Sequence, residues 1–161
     1  MQATLDFINP VQELSFANEV LLSYKKSPLL QKDCFKALNN SQKMSDFLRS
    51  IWNEELELRE SFYIVCCNLK LDVVGYKKIA DGGLDAVMVD LRILFTTALL
   101  CNSSSIIVAH NHPSGTLRPS SADISLTDKI KSASKVLDIK LLDHIILTPD
   151  SYYSFTDNGD L

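Results

Sequence analysis

The sequence predicts an α/β, or α+β, sandwich in three layers: a central mixed β-sheet with helices on both faces. Three observations lead there. Strand-like and helix-like patterns interleave through most of the 161 residues, as layered sheets covered by helices require. The run SIIVAH at 105–110 is nearly all apolar, which suits a strand buried on both faces. Two separate stretches further carry apolar residues at helical spacing, so cover is available for both sides of such a strand.

In chain order, EVLLSYK at 19–25 reads as a short strand, and a polar stretch with Pro28, Asn39 and Asn40 follows. Residues 41–52 read as a helix, because Met44, Phe47, Leu48 and Ile51 recur on one face. Residues 62–68 and 73–79 are β-rich, and the short LysLeuAsp connection makes an antiparallel hairpin of them. Asp81, Gly82 and Gly83 mark the next connection. A helix over 90–101 then places Leu91, Leu94, Phe95, Ala98 and Leu99 on its apolar side. After the strand at 105–110 comes NHPSGTLRP, a loop rich in breakers. Ser120 or Ser121 can cap a helix running to about Leu137, with Ile124, Ile130, Ala133 and Leu137 turned inward. Residues 139–147 form a strong strand and 152–155 a short last one.

The apolar fraction of 46% and charged fraction of 22% place the chain among ordinary globular proteins, sized for one compact domain with a short N-terminal extension. A net charge of −4 argues against a surface built mainly to neutralise phosphates. The start MQATLDFINP lacks a basic segment and an apolar segment of the signal-peptide kind. No apolar run approaches the roughly 18 residues that a membrane helix needs, so no membrane partner is expected. Cys34, Cys66, Cys67 and Cys101 have no paired spacing. They read as buried thiols in a reducing, cytoplasmic compartment, with Cys66 and Cys67 on opposite faces of a strand.

The chemistry concentrates after the buried strand. Residues two apart in extended chain point the same way, so His110 and His112 can present two imidazoles to one ion. Asp123 stands in the first turn of the next helix, which the loop through Pro113, Gly115 and Pro119 can fold back beside the strand end. Two histidines and a carboxylate leave a fourth tetrahedral position for water, the arrangement of a catalytic zinc site. An ordinary reading stands beside it: each histidine satisfied by hydrogen bonds, and Ser120 with Asp123 forming only a helix cap. The letters His-Asn-His are not the nuclease motif of that name, whose residues are spread over a hairpin and a helix.

The segment HNHPSGTLRPSSAD resembles the JAMM (MPN+) pattern of His-x-His, seven residues, then Ser-x-x-Asp, and its HNHPSG core resembles the RadC branch. The likeness runs from about Glu54 to the end, through ESFYIVCCN, the GG turn, LLDHIIL and YYSF. It implies a domain over 54–161 of the RadC-type JAB/MPN+ kind, after an N-terminal extension over 1–53 made of a short strand plus a helix. The implied fold is similar to the cytidine-deaminase-like three-layer sandwich. In that family His110, His112 and Asp123 would bind one Zn²⁺ per chain. Glu60, just before the first core strand, would activate the metal-bound water, and Ser120 would steady the developing oxyanion. Glu54, Glu55 and Glu57 lie too far ahead of Phe62 to match Glu60's place.

The resemblance therefore implies a zinc hydrolase of peptide or isopeptide bonds, with a peptide or protein as substrate. The alternative is a DNA-associated protein of repair or recombination, for which Lys129, Lys131, Lys135 and Lys140 are the candidate patch. On an acidic chain these lysines read more simply as a solvated helix face. No helix-hairpin-helix signature appears in residues 1–59, and a non-catalytic interaction domain of MPN type would typically have lost the ligands kept here. The branch often continues its GG turn with Thr and a later Asp-Pro; GGLDAVMVDLR departs from this at what would be the lip of the cleft. Asp143 and His144 interrupt an apolar strand, and a polar pair there needs partners. His144 is a secondary candidate beside the zinc, with a buried hydrogen-bonded pair as the other reading. Asn111 and Ser114 read as shaping the loop.

Overall fold

Strands β1 (Ser61–Cys67) and β3 (Ser105–Asn111) are buried at every position, and together they form the middle of the fold. The computed structural model describes residues 36–52, 56–82 and 88–161. The expected strand at 19–25, Cys34, Glu54, Glu55 and Gly83 lie outside the described residues. β1 pairs antiparallel with β2 (Val73–Asp81) on one side and with β3 on the other. β3 lies parallel to β4 (Lys140–Leu147), which pairs antiparallel with β5 (Tyr152–Ser154). The mixed sheet thus runs β2-β1-β3-β4-β5. A parallel pair needs a crossover, and α3 (Ser121–Val136) supplies it.

Alternation along the strands sorts side chains onto two faces. Tyr63, Val65, Cys67, Ile107, Ala109, Ile145 and Leu147 meet Met44, Phe47, Leu48 and Ile51 of α1 (Ser41–Ile51). Phe62, Ile64, Cys66, Ile106, Val108 and Leu141 meet Leu94, Phe95 and Ala98 of α2 (Leu91–Leu100) and Ile130 of α3. The three layers expected are present, and Cys66 and Cys67 fall on opposite sides. Burial pushes the Cys67 thiol up to about 12, while Cys101 is only half-buried.

Local chemistry sets the helix ends. Asn40 caps α1 by accepting the Lys43 amide, and Asp90 caps α2 by accepting that of Arg92. The Arg49 guanidinium then donates to the carbonyls of Thr148, Pro149 and Ser151, tying α1 to the β4–β5 turn.

Two elements differ from expectation. On α3 the buried residues are Thr127, Ile130 and Ser134, whereas Ile124 and Leu137 are 47% and 38% exposed. The helix is rotated so that Asp123 and Thr127 face the sheet, and that phase carries the polar residues inward. The last strand stops at Ser154, because Phe155 opens a short helix, α4 (Phe155–Asn158). There the Ser154 hydroxyl accepts the Asp157 amide and Asp143 accepts the Thr156 amide, while Gly159 at φ 78° ends the turn.

Candidate metal centre

The end of β3 presents His110 on the α2/α3 face, across from Phe62, whose ring stacks on the imidazole at 6.1 Å and 7°. His112 follows past the sheet edge, its amide donating to the Leu147 carbonyl. The chain then turns sharply: the Gly115 amide donates to the His112 carbonyl, and Gly115 sits at φ 75°, a conformation that other residues adopt only with strain. Ser114 and Thr116 hydrogen-bond each other inside this turn. The turn delivers the Thr116 carbonyl to Nδ1 of His112, 2.6 Å away. A carbonyl only accepts, so Nδ1 of His112 carries a proton and Nε2 is the nitrogen left to face the cluster.

The same loop feeds α3. Ser120 is its N-cap, accepting the Asp123 amide at 3.1 Å, while both its amide and its hydroxyl donate to Oδ2 of Asp123 at 2.7 Å. This capping box holds the Asp123 carboxylate over the strand end. Capping and site-building are therefore combined in one residue.

Glu60 comes from the segment before β1. Asn111, fully buried, organises that segment: its Oδ1 accepts the Ser61 amide, and its Nδ2 donates to the carbonyls of Leu56 and Arg59 at 2.7 and 2.8 Å. The Gly82 amide takes the Glu60 carbonyl from the other side.

These elements bring Glu60, His110, His112 and Asp123 together, with one donor atom of each lying within 4.8 Å of the others. The Nε2 atoms of His110 and His112 are 2.9 Å apart. Oδ1 of Asp123 is 3.2 Å from His110 Nε2, Oδ2 is 3.5 Å from His112 Nε2, and Oε1 of Glu60 is 3.9 Å from His110 Nε2. Two imidazole nitrogens this close, facing two carboxylates, favour a cation between them. Burial raises the pKa of Asp123, but the facing imidazoles of His110 and His112 and the Ser120 hydroxyl outweigh it and hold the carboxylate far below its usual range. Contact with the Asp123 carboxylate pushes His112 above the usual imidazole value. Burial pushes the Glu60 carboxyl up, against the pull of the two histidines. Nitrogen and oxygen donors of this kind fit Zn²⁺.

Behind the cluster, Nδ1 of His110 is 2.8 Å from Nε2 of His144, whose Nδ1 is 2.6 Å from the Thr127 hydroxyl. Burial, then the neighbouring His110, depress His144 well below the usual imidazole value, so it is neutral. Asp143 turns elsewhere and accepts from Ser154 Oγ, the Thr156 amide and the His144 amide. The polar pair in β4 thus divides: Asp143 anchors α4, and His144 backs the donor cluster. Glu57 stands apart from the cluster, lining another cavity with Thr148 and Asp150.

The cluster opens into a cleft of about 490 Å³ bordered by Phe62, Met88, Val89, Pro113, Arg118 and Leu126. Met88, 92% exposed, forms the lip in the segment that departs from the RadC pattern. Sequence reasoning missed Thr127 and the full reach of Asn111. The only signal for Thr127 was its place one helical turn after Asp123.

The chain matches the family described as RadC-like JAB domain over residues 38–160, a span that takes in α1. It is similar to a UPF0758 protein of Flavobacterium johnsoniae, 42% identical over 100 residues, which are 62% of this chain and 44% of that protein. A UPF0758 protein of Thermotoga maritima is 38% identical over 103 residues, 64% of this chain and 46% of the relative. Another, of Fusobacterium nucleatum, is 33% identical over 135 residues, 84% of this chain and 57% of the relative. The chain thus spans about half the length of these relatives.

Proposed function

This chain belongs to the RadC-like JAB domain family, and from that premise we propose that it is a zinc-dependent hydrolase cleaving a peptide or isopeptide bond. The observation that carries the proposal is the convergence of Glu60, His110, His112 and Asp123 at one end of an open cleft. His110, His112 and Asp123 would hold one zinc ion per chain. When bound, that ion supplies Lewis acidity and lowers the pKa of a water ligand to about 7.

Glu60 is the general base and acid. Its carboxyl is displaced upward by burial, which suits a group that must take a proton from the attacking water and hand it to the leaving amine. Its oxygen stands 3.9 Å from His110 Nε2, close to the donor cluster. Ser120 spends its hydroxyl proton on Asp123; rotated toward the cleft, the same hydroxyl would donate to the developing oxyanion. His144 supports His110 from behind. Met88 and Leu126 give the cleft apolar wall for a substrate side chain, and Arg118 offers a charged donor at its rim.

The test is a chelator-controlled screen of the full chain against peptide, isopeptide and DNA substrates, with Glu60→Gln as the blank. Zinc-dependent amide cleavage lost in Glu60→Gln is the expected result. Loss of metal in that variant would instead make Glu60 a ligand. A second reading, association with DNA, has one observation in its favour: Lys131, Lys135 and Lys140 line a single shallow cavity beside α3. It requires binding that weakens steeply with salt.

A further inference from the structure

We infer that Thr127 and His144 are positioning residues that fix the tautomer of His110, holding its Nε2 as a bare donor toward the cluster. The inference rests on the zinc reading above and follows from counting protons along one chain of hydrogen bonds. Thr127 Oγ1 lies 2.6 Å from the Asp123 carbonyl oxygen and 2.6 Å from Nδ1 of His144. His144 Nε2 lies 2.8 Å from Nδ1 of His110.

The carbonyl sets the direction. It has no proton to give, so a contact of 2.6 Å requires the Thr127 hydroxyl to donate to it. A hydroxyl has one proton, and Thr127 therefore meets His144 Nδ1 only as an acceptor. Nδ1 of His144 carries a hydrogen as a result. His144 has no exposed surface, and the Phe62 and Phe155 rings lie 5.7 and 4.7 Å from its own, so a charged ring would be costly there. A neutral ring with its proton on Nδ1 has a lone pair on Nε2. That lone pair must accept from Nδ1 of His110, so in the neutral ring that metal binding requires His110 turns a bare Nε2 to the cluster.

The logic repeats at His112, where the Thr116 carbonyl accepts from Nδ1 at 2.6 Å. Both histidines are therefore oriented by backbone carbonyls, one directly and one through two intermediaries. The intermediaries also link two of the proposed ligands. Asp123 supplies the carbonyl that starts the chain and the carboxylate that faces its far end. A shift of the first turn of α3 would thus disturb Asp123 and His110 together.

The decisive variant is Thr127→Val, which keeps the shape and removes the hydroxyl, with Thr127→Ser as the rescue. Two readouts on the full chain separate positioning from mere packing. Zinc affinity, read by competition with a chromophoric chelator, should fall about 10- to 100-fold in Thr127→Val and recover in Thr127→Ser, as expected when a partner that orients a ligand is lost. Nitrogen-15 NMR of the histidine rings should find the His144 proton on Nδ1 in the unaltered protein. In Thr127→Val that proton should move to Nε2, since Nδ1 has lost its acceptor. A His144 proton on Nε2 in the unaltered protein overturns the inference, as does full zinc affinity in a folded Thr127→Val. Failure of Thr127→Ser to recover affinity overturns it too, by placing the effect on the methyl group. If the unaltered protein binds no zinc, the metal reading fails while the NMR result still decides the hydrogen-bond chain. Should Thr127→Val fail to fold, the tautomer in the unaltered protein decides alone.

Discussion

On the α1 face of the sheet, β1, β3 and β4 present Tyr63, Val65, Ile107, Ala109, Ile145 and Leu147 to Phe47, Leu48 and Ile51, a largely apolar layer. On the other face the same strands start apolar, with Cys66, Ile64, Ile106 and Val108, but carry His110 and His144 toward the cleft. Both sides are buried to a similar degree. The difference is that His110 and His144 on the second side each have specific partners, and buried polar groups are tolerated on that condition. One face thus holds the sheet to its helix; the other spends part of its burial on aligned donors. Substitutions on the first should change stability and spare the metal, while substitutions at the polar end of the second should do the reverse.

The sharpest contrast comes from Glu60→Gln, which should lower hydrolysis by about 10²–10⁴-fold, the usual span for a general base. Its zinc content and melting temperature should match those of the unaltered protein. Phe47→Ala is the counterpart on the α1 face: emptying this fully buried site should cost about 3–5 kcal/mol in denaturant unfolding. Zinc affinity of the folded fraction should be unchanged. A Phe47→Ala protein with weakened zinc binding would break the separation between faces.

Asn111→Ala tests the join between the two. It leaves the Ser61 amide and the Leu56 and Arg59 carbonyls without their partner, at a cost of about 1–3 kcal/mol for a buried group left unsatisfied. The turnover number should fall because Glu60 loses its mooring, whereas zinc affinity should hold.

Asp143 gives a pH test away from the metal. Burial raises its carboxyl from 3.8, against hydrogen bonds from Ser154, Thr156 and His144. Between the unfolded value and the higher folded one the native protein binds more protons than the unfolded chain. Its contribution to stability therefore falls as pH rises through that window and is flat above it. Melting temperatures from pH 4 to 7 should show this slope, and Asp143→Asn should remove it. The smallest effect expected is from Ser120→Ala, about 1 kcal/mol for a lost N-cap, read by thermal unfolding.

Much of this arrangement is legible in the sequence because apolar spacing reports burial directly. Met44, Phe47, Leu48 and Ile51 mark α1, and the apolar run at 106–109 marks β3, since both sets pack in the core. The same signal fails on α3. Its inner side carries Asp123, Thr127 and Ser134, so the apolar residues Ile124 and Leu137 suggested the wrong phase. The last strand stops short of Phe155 because Ser154 and Asp143, meeting the Asp157 and Thr156 amides, open a helix there. Among the site residues, His110, His112 and Asp123 are close in sequence and stand out by spacing. Glu60 needed the family pattern. Thr127 and Asn111 act through partners on other elements, and a hydrogen bond between distant residues leaves no periodic trace.

The central claim is that two imidazoles and one carboxylate of this chain bind zinc. X-ray absorption at the zinc edge, on the 161-residue chain loaded with one equivalent, tests it most directly. Only light donors at about 2.0–2.1 Å are expected, with the outer-shell pattern of two imidazoles. His110→Ala should remove one imidazole from that pattern or abolish binding. Sulfur donors at about 2.3 Å, or an unchanged spectrum in His110→Ala, would contradict it.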